Sequence, residues 1–330
     1  MAFELNPGEA KTMVRLGIDL GGTNIAVGVV NEQNEIIGTA SVKTNAPRPA
    51  EEIADSMREA CLLALGEVRM TLDDVASVGV GTPGAVNEEG VVEFSANLGF
   101  NDTPLRDLVE ERLNKPTYIE NDANCAALGE QVAGCGGGVP NFVAVTLGTG
   151  VGGGIILGGK LLTGINGAAG EIGHMSVEMD GIPCPCGRSG CFEQYASATA
   201  LVRQTREAME QDRDRSSKLW ELAEGDLDNV NGLVLFNAAH AGDGRALMVL
   251  DKFTTYLAVG VADLINIFQP DVLCIGGGIS RQGDFLIEPL ARKVEELRYT
   301  KHSKKQTKIC AATLGNDAGI IGAALLSDVK

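Results

Sequence analysis

The chain has 330 residues, 44% of them apolar, and a formal net charge of −17. This composition indicates a globular protein that is long enough for two domains, since one domain commonly takes roughly 150 residues. The acidic charge argues against nucleic acid as a partner, because phosphates need a basic surface, and against a polybasic membrane anchor. No apolar run is long enough to span a membrane. We therefore expect a cytoplasmic protein that binds neither nucleic acid nor a membrane.

The first twelve residues, MAFELNPGEAKT, lack the apolar core of a signal peptide. They favour a loose extension, and the predicted fold begins with the strand that follows, VRLGIDL.

The first predicted element is a β-hairpin. The segment from Asp19 to Val30, DLGGTNIAVGVV, contains a strand end, a turn rich in glycine, and a second strand. Consecutive backbone N–H groups in such a turn can bind phosphate. A carboxylate at Asp19 would repel phosphate unless a cation intervened, which suggests Mg²⁺ with several retained waters. The alternative is an aspartate that merely forms the turn.

Further elements follow in chain order. We predict a helix from Ala50 to Leu65 and a strand from Ser77 to Gly81. Gly84, in GTPGAV, either lets the backbone approach a ligand or completes a type II turn after Pro83. The segment from Thr117 to Leu128, TYIENDANCAAL, predicts a strand end and then a helix, for which Asn121 or Asp122 is a good N-cap.

A glycine-rich run from Leu147 to Lys160, LGTGVGGGIILGGK, matches two nucleotide-binding patterns in part. The dinucleotide fingerprint and the P-loop both require a helix after the glycines. Here Ile-Ile-Leu and the turn signal Gly158-Gly159 predict a strand and a hairpin instead. Leu161 also stands where a P-loop needs Ser or Thr. The run is therefore a strand, a glycine turn and a strand, which is either a phosphate-binding turn or an ordinary hairpin.

The two glycine turns belong to a repeat. The segment from Thr146 to Leu157 has the same layout as that from Asp19 to Val30, and helical segments and strands follow in each half. In the second half these are a helix from Ala246 to Phe268 and a strand from Val272 to Gly278. The repeat predicts two α/β domains of one plan, whose hairpins face each other across a cleft and hold a triphosphate.

The eight cysteines fall into two groups. Cys184, Cys186 and Cys191 lie in one loop, with His174 upstream, and Cys₃His is a ligand set for structural zinc. The others lie scattered in apolar segments and are predicted to be buried thiols: Cys61, Cys125, Cys135, Cys274 and Cys310. A disulfide scaffold is not expected in a chain of this size without a signal peptide.

Together, DLGGTN, LGTGVGGG, ENDAN, GEIGH and CPCGRSGC resemble motifs of the ROK family of sugar kinases, repressors and related proteins. The resemblance runs from Leu16 to about Leu326. It implies an α/β, two-domain, actin-like or ribonuclease-H-like ATPase fold with an interdomain active-site cleft. We expect a small domain from 13–120 plus 313–330, closed by the C-terminal helix, and a large domain from 121–312 carrying the zinc loop. Family repressors carry a DNA-binding domain before the first phosphate motif, for which the residues before Asp19 are too few, so the kinase branch is expected.

The resemblance also implies roles for site residues. Phosphoryl transfer to a hydroxyl needs a carboxylate near the attacking oxygen, and Asp122 matches the family's catalytic position. Sugar hydroxyls need fixed donors and acceptors, for which the matching residues are Gly84, Asn97, Asn121, Asp122, Glu171, His174 and Glu193. The residues expected to bind ATP and Mg²⁺ are Asp19, Gly21, Gly22, Thr23, Asn24, Gly148, Thr149, Gly150, Gly276, Gly277 and Gly278; a plain strand-to-helix turn is the alternative for the last three.

We therefore expect an ATP-dependent hexose kinase most similar to bacterial glucokinases, with structural Zn²⁺ bound by His174, Cys184, Cys186 and Cys191. A zinc-bound histidine has its second ring nitrogen free, and a sugar hydroxyl could bond there. The alternatives are a kinase for another hexose, such as N-acetylmannosamine, fructose or allose, and a sugar-sensing regulator without catalysis. The family commonly forms dimers or tetramers, so a homo-oligomer is expected.

Overall fold

The computed structural model describes residues 13–330, so the extension predicted for residues 1–12 lies outside the described residues. Contacts divide the chain into two compact units. The first contains the residues up to Gly129 together with Thr163–Ala168 and Asn316–Lys330. The second contains Glu130–Leu162 and Ala169–Gly315.

The first unit contains β1 (Val14–Leu20), β2 (Asn24–Val30), β3 (Ile36–Lys43), α1 (Ala50–Glu67), β4 (Val75–Thr82), β5 (Ala85–Val86), β6 (Val92–Ser95), β7 (Phe100–Thr103), α2 (Leu105–Leu113), β8 (Thr117–Asn121) and α3 (Asp122–Val132). It is built on a five-stranded sheet of order β3-β2-β1-β4-β8, and β5, β6 and β7 form a separate small sheet in that order. In the large sheet β1, β2 and β3 pair antiparallel, while β4 runs parallel to β1 and β8 runs parallel to β4.

The second unit contains β9 (Phe142–Leu147), β10 (Val151–Leu157), β11 (Lys160–Leu161), α4 (Glu193–Ala196), α5 (Ala198–Glu210), α6 (Lys218–Leu222), α7 (Gly232–His240), α8 (Gly244–Phe268), β12 (Val272–Gly276), α9 (Asp284–Leu297) and β13 (Lys308–Ala311). Its sheet, of order β11-β10-β9-β12-β13, repeats the arrangement of the first unit. Strand β9 pairs antiparallel with β10 and parallel with β12, as β1 does with β2 and β4. The last helix, α10 (Asp317–Ala324), belongs to the first unit.

The predicted hairpins, helices and strands are confirmed, because each rests on a local pattern that tertiary contacts reinforce. Helix α8, for example, begins where the Asp243 carboxylate accepts hydrogen bonds from the N–H groups of Arg245 and Ala246. It ends at Gln269, which adopts a left-handed conformation. One apolar core fills each unit, and among residues 13–330 no helix has the length and apolar character to cross a membrane.

The unit boundaries differ from the predicted domain boundaries. Helix α3 belongs to the first unit as far as Gly129, whereas the prediction assigned residues from 121 onward to the second domain. The reason is a close contact: a Cβ atom built on Gly129 would lie 2.2 Å from the carbonyl oxygen of Ala318 in α10. The segment Thr163–Ala168 also joins the first unit, where Gly167 packs against the backbone of Val86.

The C-terminal helix α10 packs against the first sheet backbone to backbone. A Cβ atom on Gly17 of β1 would lie 1.9 Å from the carbonyl oxygen of Ile320, and one on Gly79 of β4 would lie 1.8 Å from that of Ala323. Real Cβ atoms do not approach so closely, so a side chain at either position would push α10 off the sheet.

We predict that Gly79→Ala lowers the free energy of unfolding by about 2 kcal/mol or more, because the added methyl group overpacks a buried contact. The matched control is Gly66→Ala in α1, where a Cβ atom would meet nothing within 4 Å. That change should be neutral or stabilising by up to about 1 kcal/mol, because alanine favours a helix. Urea unfolding of both variants tests this, and equal effects of the two would contradict the account of α10.

Candidate active site

The first glycine turn, which joins β1 to β2, is closed by hydrogen bonds. The Gly21 N–H donates to the Asn24 carbonyl oxygen at 2.9 Å. The buried Thr44 holds the turn from the side, since its hydroxyl donates to the Gly21 oxygen at 2.6 Å and its N–H donates to the Thr23 oxygen at 2.9 Å. Asp19 is paired with Ala26 inside the hairpin, so it is a strand residue and the alternative of a turn-forming aspartate fails.

Asn97 lies beside this turn. It is an exposed residue in the connection between β6 and β7. A Cβ atom built on Gly22 would lie 3.5 Å from the Asn97 carbonyl oxygen and 3.6 Å from its Cβ atom. Residues far apart in the sequence, and assigned to sugar and phosphate separately, are therefore neighbours in the first unit.

Asn121 caps helix α3 and leaves Asp122 available for another role. The Asn121 side-chain oxygen accepts from the Ala123 N–H at 2.9 Å and from the Asn124 N–H at 3.3 Å, which is the N-cap arrangement. Its amide nitrogen donates to the Gly84 oxygen at 3.2 Å. Gly84 itself has φ of 110°, a conformation that favours glycine, and a Cβ atom there would lie 2.2 Å from the Phe94 oxygen.

Asp19 and Asp122 stand at the carboxyl ends of parallel strands, the edge where such sheets place their chemistry. Asp19 is in register with Gly81 of β4, and Asn121 with Thr82 of the same strand. Asp122 is exposed as a residue, but neighbouring atoms partly desolvate its carboxyl group and raise its pKa, while a hydrogen bond from the Ala123 N–H opposes the rise. Burial also raises the pKa of Asp19, and the charge of Asp122 raises it further. A divalent cation at Asp19 would offset this repulsion.

The second glycine turn has strands on both sides. The Gly148 N–H donates to the Gly150 oxygen at 3.0 Å, and the chain continues directly into β10. Gly158 and Gly159 adopt positive φ values of 58° and 79° and turn the chain into β11, which begins at Lys160. The segment has no helix after the glycines, so the predicted strand, glycine turn and strand is confirmed, and with it the exclusion of the dinucleotide and P-loop patterns.

The glycines that end β12 pack against this second turn. Gly276 is in register with Thr146 of β9. A Cβ atom on Gly277, whose φ is 85°, would lie 2.2 Å from the carbonyl oxygen of Leu147, the residue before the turn. The structure thus brings the end of β12 next to the residue that precedes the Gly148–Gly150 turn.

Four predicted metal ligands converge in the second unit. One ring nitrogen of the histidine and the sulfur atoms of the three cysteines all lie within 4.8 Å of one another: His174, Cys184, Cys186 and Cys191. The His174 Nδ1 atom is 3.7 Å from the Cys184 sulfur, and the sulfurs of Cys186 and Cys191 are 3.6 Å apart. These separations fit the edges of a zinc tetrahedron, about 3.5–3.8 Å for Zn–S and Zn–N bonds of about 2.3 and 2.0 Å.

Glu193 and Glu171 extend from this cluster. The Cys184 sulfur lies 3.1 Å from the Oε1 atom of Glu193, while the Oε2 atom lies 2.6 Å from where a Cβ atom on Gly150 would be. On the other side, the Nε2 atom of His174 faces the Oε2 atom of Glu171 at 3.9 Å. The residues predicted for metal, sugar and phosphate are therefore contiguous within the second unit.

Three residues that support the predicted site residues were not identified from the sequence: Thr44, Arg188 and Lys330. Arg188 fastens the cysteine loop, because its guanidinium donates to the His174 carbonyl oxygen at 3.2 Å and to the Ser176 hydroxyl at 3.0 Å. Lys330 pairs with the buried Glu120 at 2.8 Å, directly before Asn121. Arg188 lies inside the cysteine motif and could have been suspected, whereas Thr44 and Lys330 carry no local signal.

The prediction of scattered buried thiols needs a correction. Cys135, Cys274 and Cys310 form a second group of sulfur atoms that all lie within 4.8 Å of one another, and Cys135 and Cys310 are only half-buried. The register of two parallel strands brings them together, and a single sequence does not show strand register.

The model of the ROK family matches residues 15–329. The chain is 41% identical to a glucokinase of Thermotoga maritima, over 94% of this chain and 95% of that protein. It is 38% identical to a glucokinase of Streptomyces coelicolor, over 94% of this chain and 96% of that protein.

Among solved structures, a ROK family glucokinase from Streptomyces griseus in complex with glucose and AMPPNP superposes with a TM-score of 0.79 and 38% identity, covering 95% of this chain and 98% of that one. The chain belongs to the ROK family. Its two units have the predicted actin-like ATPase fold.

The raised pKa of Asp19 predicts a pH-dependent effect on stability. Without nucleotide or Mg²⁺, ionised Asp19 opposes folding at any pH above the unfolded-state pKa of about 3.9, so Asp19→Asn should stabilise the protein at pH 8. The gain should shrink as the pH falls through the folded-state pKa, because wild-type Asp19 is then protonated.

We expect the melting temperature to rise by about 1–4 °C at pH 8 and by less at pH 5. Thermal melts between pH 5 and pH 8 measure the change in melting temperature. The control is Asp214→Asn, at an exposed position. A melting temperature at pH 8 below that of wild type would show that the Asp19 charge is favourably paired in the free protein.

Proposed function

We propose that the protein is an ATP-dependent glucokinase, which converts glucose and ATP to glucose 6-phosphate and ADP. The observation that carries this is that Asp19 and Asp122 lie at the same sheet edge, near enough for the charge of Asp122 to raise the pKa of Asp19, while Asn121 caps α3. The likeness to glucokinases over nearly the whole chain supports it.

Asp122 is the general base in this proposal. Its carboxylate orients the 6-hydroxyl of glucose and accepts its proton as the oxygen–phosphorus bond forms and the bond from the γ-phosphorus to the bridging oxygen of ADP breaks. The raised pKa makes Asp122 a better proton acceptor than an aspartate with the ordinary pKa, at the cost of activity in acid. The Ala123 N–H holds the carboxylate at 2.8 Å and thereby restricts its orientation.

The sugar and nucleotide contacts are assigned to both units. In the first unit, Asn97, Asn121 and the backbone at Gly84 supply donors and acceptors for glucose. In the second unit, Glu171, His174 and Glu193 do so. The triphosphate is assigned to the backbone N–H groups of the two glycine turns, and the adenosine side to Gly276, Gly277 and Gly278. Mg²⁺, with Asp19 among its partners, would neutralise charge on the phosphates.

We propose structural zinc for the His174, Cys184, Cys186 and Cys191 cluster, because the donor set and its separations suit a closed tetrahedral site. These residues fix the loop that carries Glu171 and Glu193. We also propose a cytoplasmic enzyme that supplies glucose 6-phosphate to glycolysis and acts as a homo-oligomer.

The choice of sugar is tested by kcat/KM for glucose, fructose, mannose, allose and N-acetylmannosamine. Glucose should exceed each of the others. Another sugar that exceeds glucose by about tenfold, which is roughly 1.4 kcal/mol of transition-state preference, would assign the enzyme to that hexose instead.

The role of Asp122 is tested with Asp122→Asn, which keeps the shape of the side chain but removes the proton acceptor. We expect kcat to fall about 10²–10⁴-fold while glucose affinity changes little. In the wild type, kcat/KM should fall on the acid side with an apparent pKa above the usual 3.9 of aspartate, since the protonated carboxyl cannot act as a base. A variant with kcat within about threefold of wild type would leave Asp122 no role as base.

The role of the zinc loop is tested with Cys184→Ala. We expect less zinc per chain and weaker glucose binding, because the loop that positions Glu171, His174 and Glu193 loses one of its four metal ligands. Nucleotide affinity should fall less, because only Glu193 reaches the Gly150 turn. The control is Cys61→Ala, a buried thiol in the first core. Metal analysis measures the zinc content, and separate titrations with glucose and with ATP measure the two affinities. Wild-type protein that binds glucose normally without zinc would contradict the proposed role of the loop.

A further inference from the structure

The second cysteine group has no part in the proposed glucokinase site. Cys274 and Cys310 are register partners on the parallel strands β12 and β13. Residues paired in register project to the same face of a sheet, so their sulfur atoms lie side by side. Cys135 reaches them from the loop after α3, and the three sulfurs lie within 4.8 Å of one another.

The loop that carries Cys135 is built to hold this position. A Cβ atom on Gly134 would lie 2.0 Å from the Oε2 atom of Glu130, and one on Gly136 would lie 2.6 Å from the Cα atom of Gln131. Only residues without side chains let the loop fold back so closely over the end of α3. The Gln131 amide then fastens the far end of the loop by donating to the Val139 oxygen at 2.7 Å.

Glu130 connects this loop to the segment after β13. Its buried carboxylate accepts hydrogen bonds from the Cys135 N–H at 3.1 Å, the Leu314 N–H at 2.7 Å and the Thr313 hydroxyl at 3.3 Å. The carboxylate thus holds Cys135 next to the chain that carries Cys310. Because its oxygen atoms already have these partners, Glu130 is not available as a fourth ligand.

We propose that Cys135, Cys274 and Cys310 form a three-thiolate site for a soft monovalent ion of the Cu(I) type. Thiolates select soft ions, and among residues 13–330 the group contains three sulfurs and no fourth ligand, which suits trigonal Cu(I) better than zinc, whose structural sites take four ligands. Cys274 is 1% exposed and forms the floor of the site, while Cys135 and Cys310 are half-buried and give an ion access. Three Cu–S bonds form as three thiol protons leave for solvent.

The test uses reduced, zinc-loaded protein, titrated anaerobically with Cu(I) against a chromophoric Cu(I) chelator, without glucose or ATP. We expect one Cu(I) per chain, near-ultraviolet absorption from copper–sulfur bonds, and no release of zinc. Cys310→Ser should weaken Cu(I) binding by about 100-fold or more, since even residues that only support a ligand are worth up to about that factor. Cys61→Ser, which alters an isolated buried thiol, should bind as wild type does.

Cys274→Ser gives a second, independent loss of a ligand, and circular dichroism checks that both variants fold. Failure of the wild type to compete with the chelator would overturn the proposal, as would full binding by folded Cys310→Ser. Release of zinc in step with Cu(I) uptake would also overturn it, because the ion would then occupy the His174 cluster. None of these outcomes depends on kinase activity, so the proposed glucokinase function stands or fails separately.

Discussion

The first unit depends on the direct contact between the backbone of α10 and the strands β1 and β4. Glycines at residues 17 and 79 allow that contact, and no larger residue would fit. The same helix approaches Asp19 itself, since a Cβ atom on Gly319 would lie 3.6 Å from the Asp19 carboxylate. It also packs on α3 through Gly129 and Gly322, so the helix that begins at Asp122 is fixed by the element that buries Asp19. Close backbone packing therefore sets the geometry of both carboxylates.

The positions of Asp19 and Asp122 make their ionised forms less stable in the free protein. Burial and the neighbouring charge raise the pKa of Asp19, and partial desolvation raises the pKa of Asp122. Two carboxyl groups with raised pKa values are less stable when ionised in the folded free protein than in the unfolded chain, which is typical of groups kept for binding or catalysis. In the proposed function they divide the work, with Asp19 toward the cation and phosphates and Asp122 toward the sugar hydroxyl. In the second unit, the glycine turn at Gly148–Gly150 lies next to the Glu193 carboxyl group. The same carboxyl group contacts Cys184 of the cysteine loop.

Local patterns predicted much of this architecture. The strand–turn–strand repeats, the helix after Asn121 and the His174 cluster all follow from residues close together in the chain or from the family motifs. The contributions that sequence did not reveal depend on distant contacts. Thr44 closes the Gly21 turn from the end of β3, and nothing near it in the sequence marks that role. Cys274 and Cys310 meet through strand register, and Gly129 belongs to the first unit only because α10 returns to cover it.

The central claim is that this arrangement of carboxylates and glycine turns transfers a phosphoryl group and does not merely bind sugar. Phosphorus NMR of the purified protein with glucose, ATP and Mg²⁺ tests it most directly. We expect the γ-phosphate signal to decline as a sugar 6-phosphate signal and ADP appear in equal amounts, with no ATP consumed when glucose is left out. Saturable glucose binding with the ATP signals unchanged would contradict the claim and identify a sugar-sensing regulator.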